Sequence, residues 1–241
     1  MQTGGDIALA TRGRAWEHAD PIAYMSGGWW GGGAFACGVL IAAAMVSLPT
    51  ATQNAEDIRA FYAANRQIIV VQQIVGVLAL GPFLGLTLTL ARHARRRGEG
   101  GERPIVLAAL VVAIAELATN VPPLLLASAS DATPGSAHSL TLIEDLSDAA
   151  LFASIAFFSF ATALNNSSWV RIAGLIVAAL TLLRAFASPL GVSALDAVAP
   201  ITFVAYVLVL SIRLITADRA SRVMSTRVTG HAVPKGARHD G

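Results

Sequence analysis

IIVVQQIVGVLALGPFLGLTLTLARHARRR, residues 68–97, holds in one stretch the two signals that decide the fold. Its first part, 68–91, stays apolar for the length that about 30 Å of hydrocarbon demands, roughly 20 helical residues. Its second part sets Arg92, Arg95, Arg96 and Arg97 directly behind that run, and arginines clustered at the end of a span are kept on the cytoplasmic side of a bilayer. Within the apolar part, Gly81-Pro82-Phe83-Leu84-Gly85 combines a proline with small residues four apart, which predicts a kink and a tight helix contact.

The rest of the chain repeats the pattern. Of 241 residues, 55% are hydrophobic and 13% charged, with a mean hydropathy of +0.62. Soluble domains run near half apolar and a quarter charged. The chain therefore reads as all-α, a polytopic transmembrane helical bundle with six spans at about 29–48, 68–91, 104–127, 141–164, 170–188 and 197–216. A transmembrane barrel would instead show short alternating segments. Three regions result: an N-terminal cytoplasmic segment over 1–28, the six-helix domain over 29–216, and a basic cytoplasmic tail over 217–241 expected to be disordered. The polar N-terminal segment, with Arg12, Arg14, Glu17 and Asp20, does not read as a cleaved signal peptide. At its end, GGWWGGG (27–33) puts Trp29 and Trp30 at a membrane interface, and the adjoining glycines let a neighbouring helix come close.

Orientation follows from arginine. RHARRRGEGGER (92–103) and the tail with Arg219, Arg222, Arg227, Lys235 and Arg238 both face the cytoplasm, so six spans place both termini there. The connections at 128–140 and 189–196 hold no Arg or Lys, as the outer side requires. Arg59 and Arg66 are exceptions, partly balanced by Glu56 and Asp57. They lie in NAEDIRAFYAANR (54–66), where Ile58, Phe61, Tyr62 and Asn65 follow helical spacing, so a short helix is expected at the outer face, lying on the leaflet or capping the bundle.

Several chemistries are excluded. Cys37 is the single cysteine, which leaves no internal disulfide and no cysteine-based metal cluster. None of His18, His93, His138, His231 and His239 falls inside a span, against intramembrane haem ligation, and Lys235, the only lysine, lies in the tail. No HExxH, GxSxG, Walker or paired CxxC motif occurs, so an enzyme is not expected, nor is any metal or cofactor.

What remains is charge at membrane depth, which is costly and a functional candidate by default. Glu116 lies about 12 residues into the third span, near the midplane, with Asn120 one turn on along the same face. Arg184 lies roughly 9 Å below the outer surface in the fifth span. In the fourth, LIEDLSDAALF (142–152) places Glu144 and Asp145 about 5 to 8 Å deep and Asp148 about 12 Å, within one arc of the helix. Gln72 and Gln73 reach a similar depth. On one interpretation these groups form an outward-opening polar cavity, in which Arg184 pairs with acids among Glu116, Asp145 and Asp148, and Glu116, Asn120, Asp145, Asp148 and Arg184 bind a ligand. Crowded carboxylates in excess of one guanidinium suit a proton or cation. On the other, the fourth span begins near Ala149. Glu144 and Asp145 then stabilise a helix N-terminus in a capping box with Thr141, and Glu116 with Arg184 forms a structural pair locking the third span to the fifth.

The small-residue first span ending in Leu48-Pro49, the segment EDIRAFYAANR (56–66) leading into the second span, and the arginines at 92–97 resemble an uncharacterised family of six-span bacterial inner-membrane proteins carrying a domain of unknown function. The resemblance implies a multi-pass protein of the bacterial inner membrane, and it brings no catalytic residues. The expected function is small-molecule or cation binding or transport in the cavity, the alternative a non-catalytic scaffold or regulatory subunit of a larger complex. Expected partners are the lipid bilayer and either a second copy of the chain or a membrane partner subunit; no nucleic acid is expected.

Overall fold

The computed structural model of the chain describes residues 21–229 except 99, 130–132, 167–168 and 191. Most of the expected N-terminal segment and the end of the tail, 230–241, thus lie outside the described residues. The helices are α1 (Pro21–Met45), α2 (Ala55–Ala64), α3 (Arg66–Arg96), α4 (Glu102–Ser128), α5 (Pro134–Leu164), α6 (Trp169–Ala187) and α7 (Val198–Thr229), with short 3-10 turns at Ser188–Leu190 and Ser193–Leu195. No strand occurs among the described residues. The α3, α4, α5 and α6 helices and Val198–Ala217 of α7 are long and apolar enough to cross a membrane, and α1 adds a shorter apolar stretch, Trp30–Met45. The chain is a multi-pass membrane protein built as a helical bundle.

The bundle closes into a ring. In chain order α1 packs on α3, α3 on α4, α4 on α5, α5 on α6 and α6 on α7, and α7 returns to α1. Large apolar side chains such as Leu78, Ile114, Leu183 and Phe186 point out of the ring, the arrangement for a protein whose solvent is lipid tails. Trp30 is 69% exposed on the same outer surface.

Glycine seats α1 in the ring. A Cβ on Gly31 would stand 2.9 Å from the Pro82 carbonyl oxygen of α3, one on Gly32 would collide with the Ser211 hydroxyl of α7, and one on Gly38 would come 2.8 Å from Ala79 Cβ. The glycines beside the tryptophans thus let α1 approach two neighbours at once. The contact expected at Gly81 and Gly85 is absent, since nothing lies within 4 Å of a Cβ at either position. Both face away from the neighbours their helix packs on, so the small-residue spacing marks no interface there.

Four phenylalanines from four of the six members of the ring meet inside it: Phe35 of α1, Phe83 of α3, Phe158 of α5 and Phe203 of α7. Ring centroids are 5.2 Å apart for Phe35–Phe83, 5.0 Å for Phe83–Phe158, 6.2 Å for Phe158–Phe203 and 5.9 Å for Phe35–Phe203. These are favourable edge-on and tilted separations.

One end of the bundle is closed by α2. Asn54 caps it, its side chain accepting from the Glu56 N–H at 3.0 Å. Ile58 (0% exposed) and Tyr62 (2%) sink into a small apolar cluster with Ile69, Leu126, Ala127 and Ala137. The helix therefore packs onto the ends of α3, α4 and α5. Arg66 donates to the Ser128 carbonyl at 3.1 Å, so an arginine that breaks the charge pattern satisfies the open C-terminus of α4.

The fourth expected span starts earlier than its apolar content suggests. Thr133 is the cap, its hydroxyl accepting from the Ser136 N–H at 3.2 Å, with Pro134 opening the helix. Thr141 is buried two turns inside, so the capping box with Glu144 does not form. At the other end of the chain, α7 continues past 216 to Thr229.

Candidate functional site

The acids of LIEDLSDAALF go to three different partners. The Tyr62 hydroxyl donates to Glu144 Oε2 at 2.8 Å, the Ala51 N–H donates to Asp145 Oδ2 at 2.9 Å, and Arg184 Nη1 donates to Asp148 Oδ2 at 2.6 Å. The first two tie α2 and the preceding connection to α5. Burial, then the Glu144 carboxylate beside it, keeps the Tyr62 hydroxyl protonated well above its ordinary range.

Arg184 is in the last turn of α6, where a cation complements the helix C-terminus. Its side chain is 11% exposed, lies 3.8 Å over the Phe152 ring and has Nε 3.4 Å from Asp196 Oδ1. That second contact is an ion pair by distance only, since the Nε–H makes no hydrogen bond. The guanidinium thus joins α5, α6 and the connection to α7. Glu116 is not part of the pair, so the expected lock between the third and fifth spans is replaced by one between the fourth and fifth. Asp196 was missed by sequence reasoning because it lies in a connection, where an acid carries no signal of depth.

Between α1, α3, α4, α5 and α7 lies a cavity of about 320 Å³. Of the five expected site residues, Glu116, Asn120 and Asp148 line it, while Asp145 and Arg184 are not among its lining residues. Gln72 and Gln73 add polar groups, and Phe35, Phe152 and Phe203 add aromatic ones.

Glu116 and Asn120 converge because they sit one turn apart on α4. Asn120 Nδ2 donates to the Glu116 backbone carbonyl and reaches Glu116 Oε1 at 3.4 Å. Gly76 of α3 makes room opposite: a Cβ there would stand 3.2 Å from Glu116 Oε1 and 3.8 Å from Asn120 Oδ1. Gly76 was not singled out from the sequence, where one glycine among many carries no label. Among the described residues no Arg or His pairs with Glu116, and no group of three or more His, Cys, Asp or Glu could hold a metal.

The phenylalanine layer bounds the cavity on one side. Going along α5, Asp148, Leu151, Phe152 and Ile155 line the cavity, Phe158 belongs to the layer, and Thr162, Asn165 and Asn166 line a second, smaller cavity of about 30 Å³ with His93, Arg97 and Arg213. The same sequence of cavity, ring and second cavity holds along α3 and α7.

Comparison of the chain with protein-family models, with curated proteins and with solved structures finds no match.

Proposed function

We propose that the chain crosses the membrane six times with both termini in the cytoplasm, and that its cavity admits a small molecule or cation from the outer face for binding or transport. The membrane in this proposal is the bacterial inner membrane, on the arginine pattern and the resemblance of layout noted above. One observation carries the functional part: Glu116 lines a cavity of about 320 Å³ within apolar helices, and no cation among the described residues neutralises it. An unpaired charge at such depth is expensive and is retained where it binds something.

The test uses Val112, which lines the cavity and is 4% exposed, so lipid does not reach it. In a Cys37→Ser background, Val112→Cys is expected to react with a membrane-impermeant thiol reagent added from outside. Failure to react from either side defeats the reading. A second reading, a non-catalytic scaffold or regulatory subunit, is favoured by the Asp148–Arg184–Asp196 cluster, whose charges are spent on one another. On that reading Glu116→Gln changes thermal stability alone; on the first it also removes a ligand response.

A further inference from the structure

We infer that the occupant of this cavity is a small organic ammonium: a compact apolar body carrying one protonated amine with N–H groups to donate. The inference rests on the cavity reading above and adds the chemical class of the ligand.

Two acceptors on the wall lack a donor, and the amides that carry them have their N–H groups engaged elsewhere. Gln72 spends its amide Nε2 on two backbone carbonyls, Ala42 at 2.9 Å and Val46 at 2.8 Å, and Asn120 spends its Nδ2 on the Glu116 carbonyl. A carbonyl can only accept, so these partners fix which end of each amide is the oxygen. Gln72 Oε1 and Asn120 Oδ1 are buried and have no donor. Asn120 is 4% exposed, and its Oδ1 and Glu116 Oε1 both lie beside Gly76. Once a ligand has displaced water from the cavity, an acceptor left without a donor costs about 1 to 3 kcal/mol, more for a charged group. A ligand with several N–H donors and a positive charge answers all of them together.

Charge selects the sign. The Asp148 carboxylate is already engaged by Arg184 at 2.6 Å, which leaves Glu116 as the lining carboxylate without a cation. An anion would be repelled by that carboxylate, and a neutral molecule would leave it uncompensated.

Size and lining select the body. A bare divalent ion is commonly held by several carboxylates, and the described residues bring together no group of three or more His, Cys, Asp or Glu. A space of about 320 Å³ walled by Phe35, Phe152, Phe203 and Leu151 instead suits an apolar skeleton, and aromatic faces attract a cation as well.

The test measures binding to the full chain in phosphatidylcholine nanodiscs at fixed pH by calorimetry, with cyclohexylammonium, its neutral isostere cyclohexanol, and tetramethylammonium, which is charged but has no N–H. Cyclohexylammonium is expected to bind at least tenfold more tightly than either of the others. Glu116→Gln is expected to weaken it at least tenfold, with Glu116→Asp intermediate. Gly76→Val, which fills the space beside Glu116 without removing a polar group, is expected to weaken it too, melting curves confirming that each variant is folded. Equal binding of amine and alcohol, or binding untouched by Glu116→Gln, overturns the ammonium class while leaving a ligand cavity in place. Absence of binding by all three probes, with Val112→Cys still labelled from outside, also overturns it. Only the loss of that labelling takes the cavity reading down as well.

Discussion

At Arg184 one guanidinium answers two carboxylates and a ring, so removing it and removing Asp148 are not equivalent changes. Arg184→Gln leaves Asp148 without a cation in a largely buried setting. It is expected to cost roughly 2 to 4 kcal/mol of unfolding free energy, somewhat under the usual figure for a fully buried pair because Asp148 keeps 31% of its side chain exposed. Asp148→Asn leaves Asp196 to neutralise the arginine and should cost about half of that; equal costs in denaturation would remove Asp196 from the account. Tyr62 supplies a pH dependence. Its hydroxyl is held protonated above its ordinary range, so the folded state keeps a proton that the unfolded chain releases near pH 10. Stability from this group is therefore full below about pH 10 and declines as pH rises beyond it. Tyr62→Phe, which has nothing to release, should flatten that decline in melting temperature. The pairing of Arg184 with Asp148 was among the partners expected from sequence, because both were counted as charges inside spans. The partner of Asp145 was not, because a backbone N–H leaves no mark on composition.

Among the elements, α5 shows what hydropathy misses. Its first two turns are polar enough to read as a connection, and the start signal is the Thr133-Pro134 pair that precedes them. Thr133→Ala is thus expected to lose about 1 kcal/mol. Thr141→Val should be neutral or stabilising, because the Thr141 hydroxyl is buried without a partner. If chemical denaturation ranks the two the other way, the helix begins where the capping box would have put it. The small-residue signals divide by the same logic of direction. Gly31 and Gly32 face neighbours and Gly81 and Gly85 do not, and spacing alone cannot say which side of a helix meets protein. The amphipathic spacing of α2 was legible because Ile58 and Tyr62 lie one turn apart, after the acidic pair Glu56-Asp57 and before Asn65.

Across the whole molecule, the helical class and the approximate place of each apolar helix followed from length and hydropathy, whereas the ring did not. Its closure joins α1 to α7, the most distant helices in the chain, through Gly32 and Ser211, and no local pattern encodes that contact. The proposed orientation has a direct check: in a Cys37→Ser background, Ser139→Cys should react with an impermeant reagent from outside, and Glu102→Cys only after the membrane is permeabilised. The reverse pattern would invert the cavity.

The four phenylalanines add an electrical consequence. A wet cavity conducts ions and cannot sustain a voltage drop, whereas a layer of hydrocarbon rings behaves as the dielectric of a thin capacitor. With the cavity open to the outer solution, as proposed above, the membrane potential would be concentrated across Phe35, Phe83, Phe158 and Phe203 instead of being spread over the full thickness of the bilayer. A monovalent charge carried past those rings would traverse most of the field, worth about 2.3 kcal/mol for each 100 mV, while one held at Glu116 would have crossed little of it.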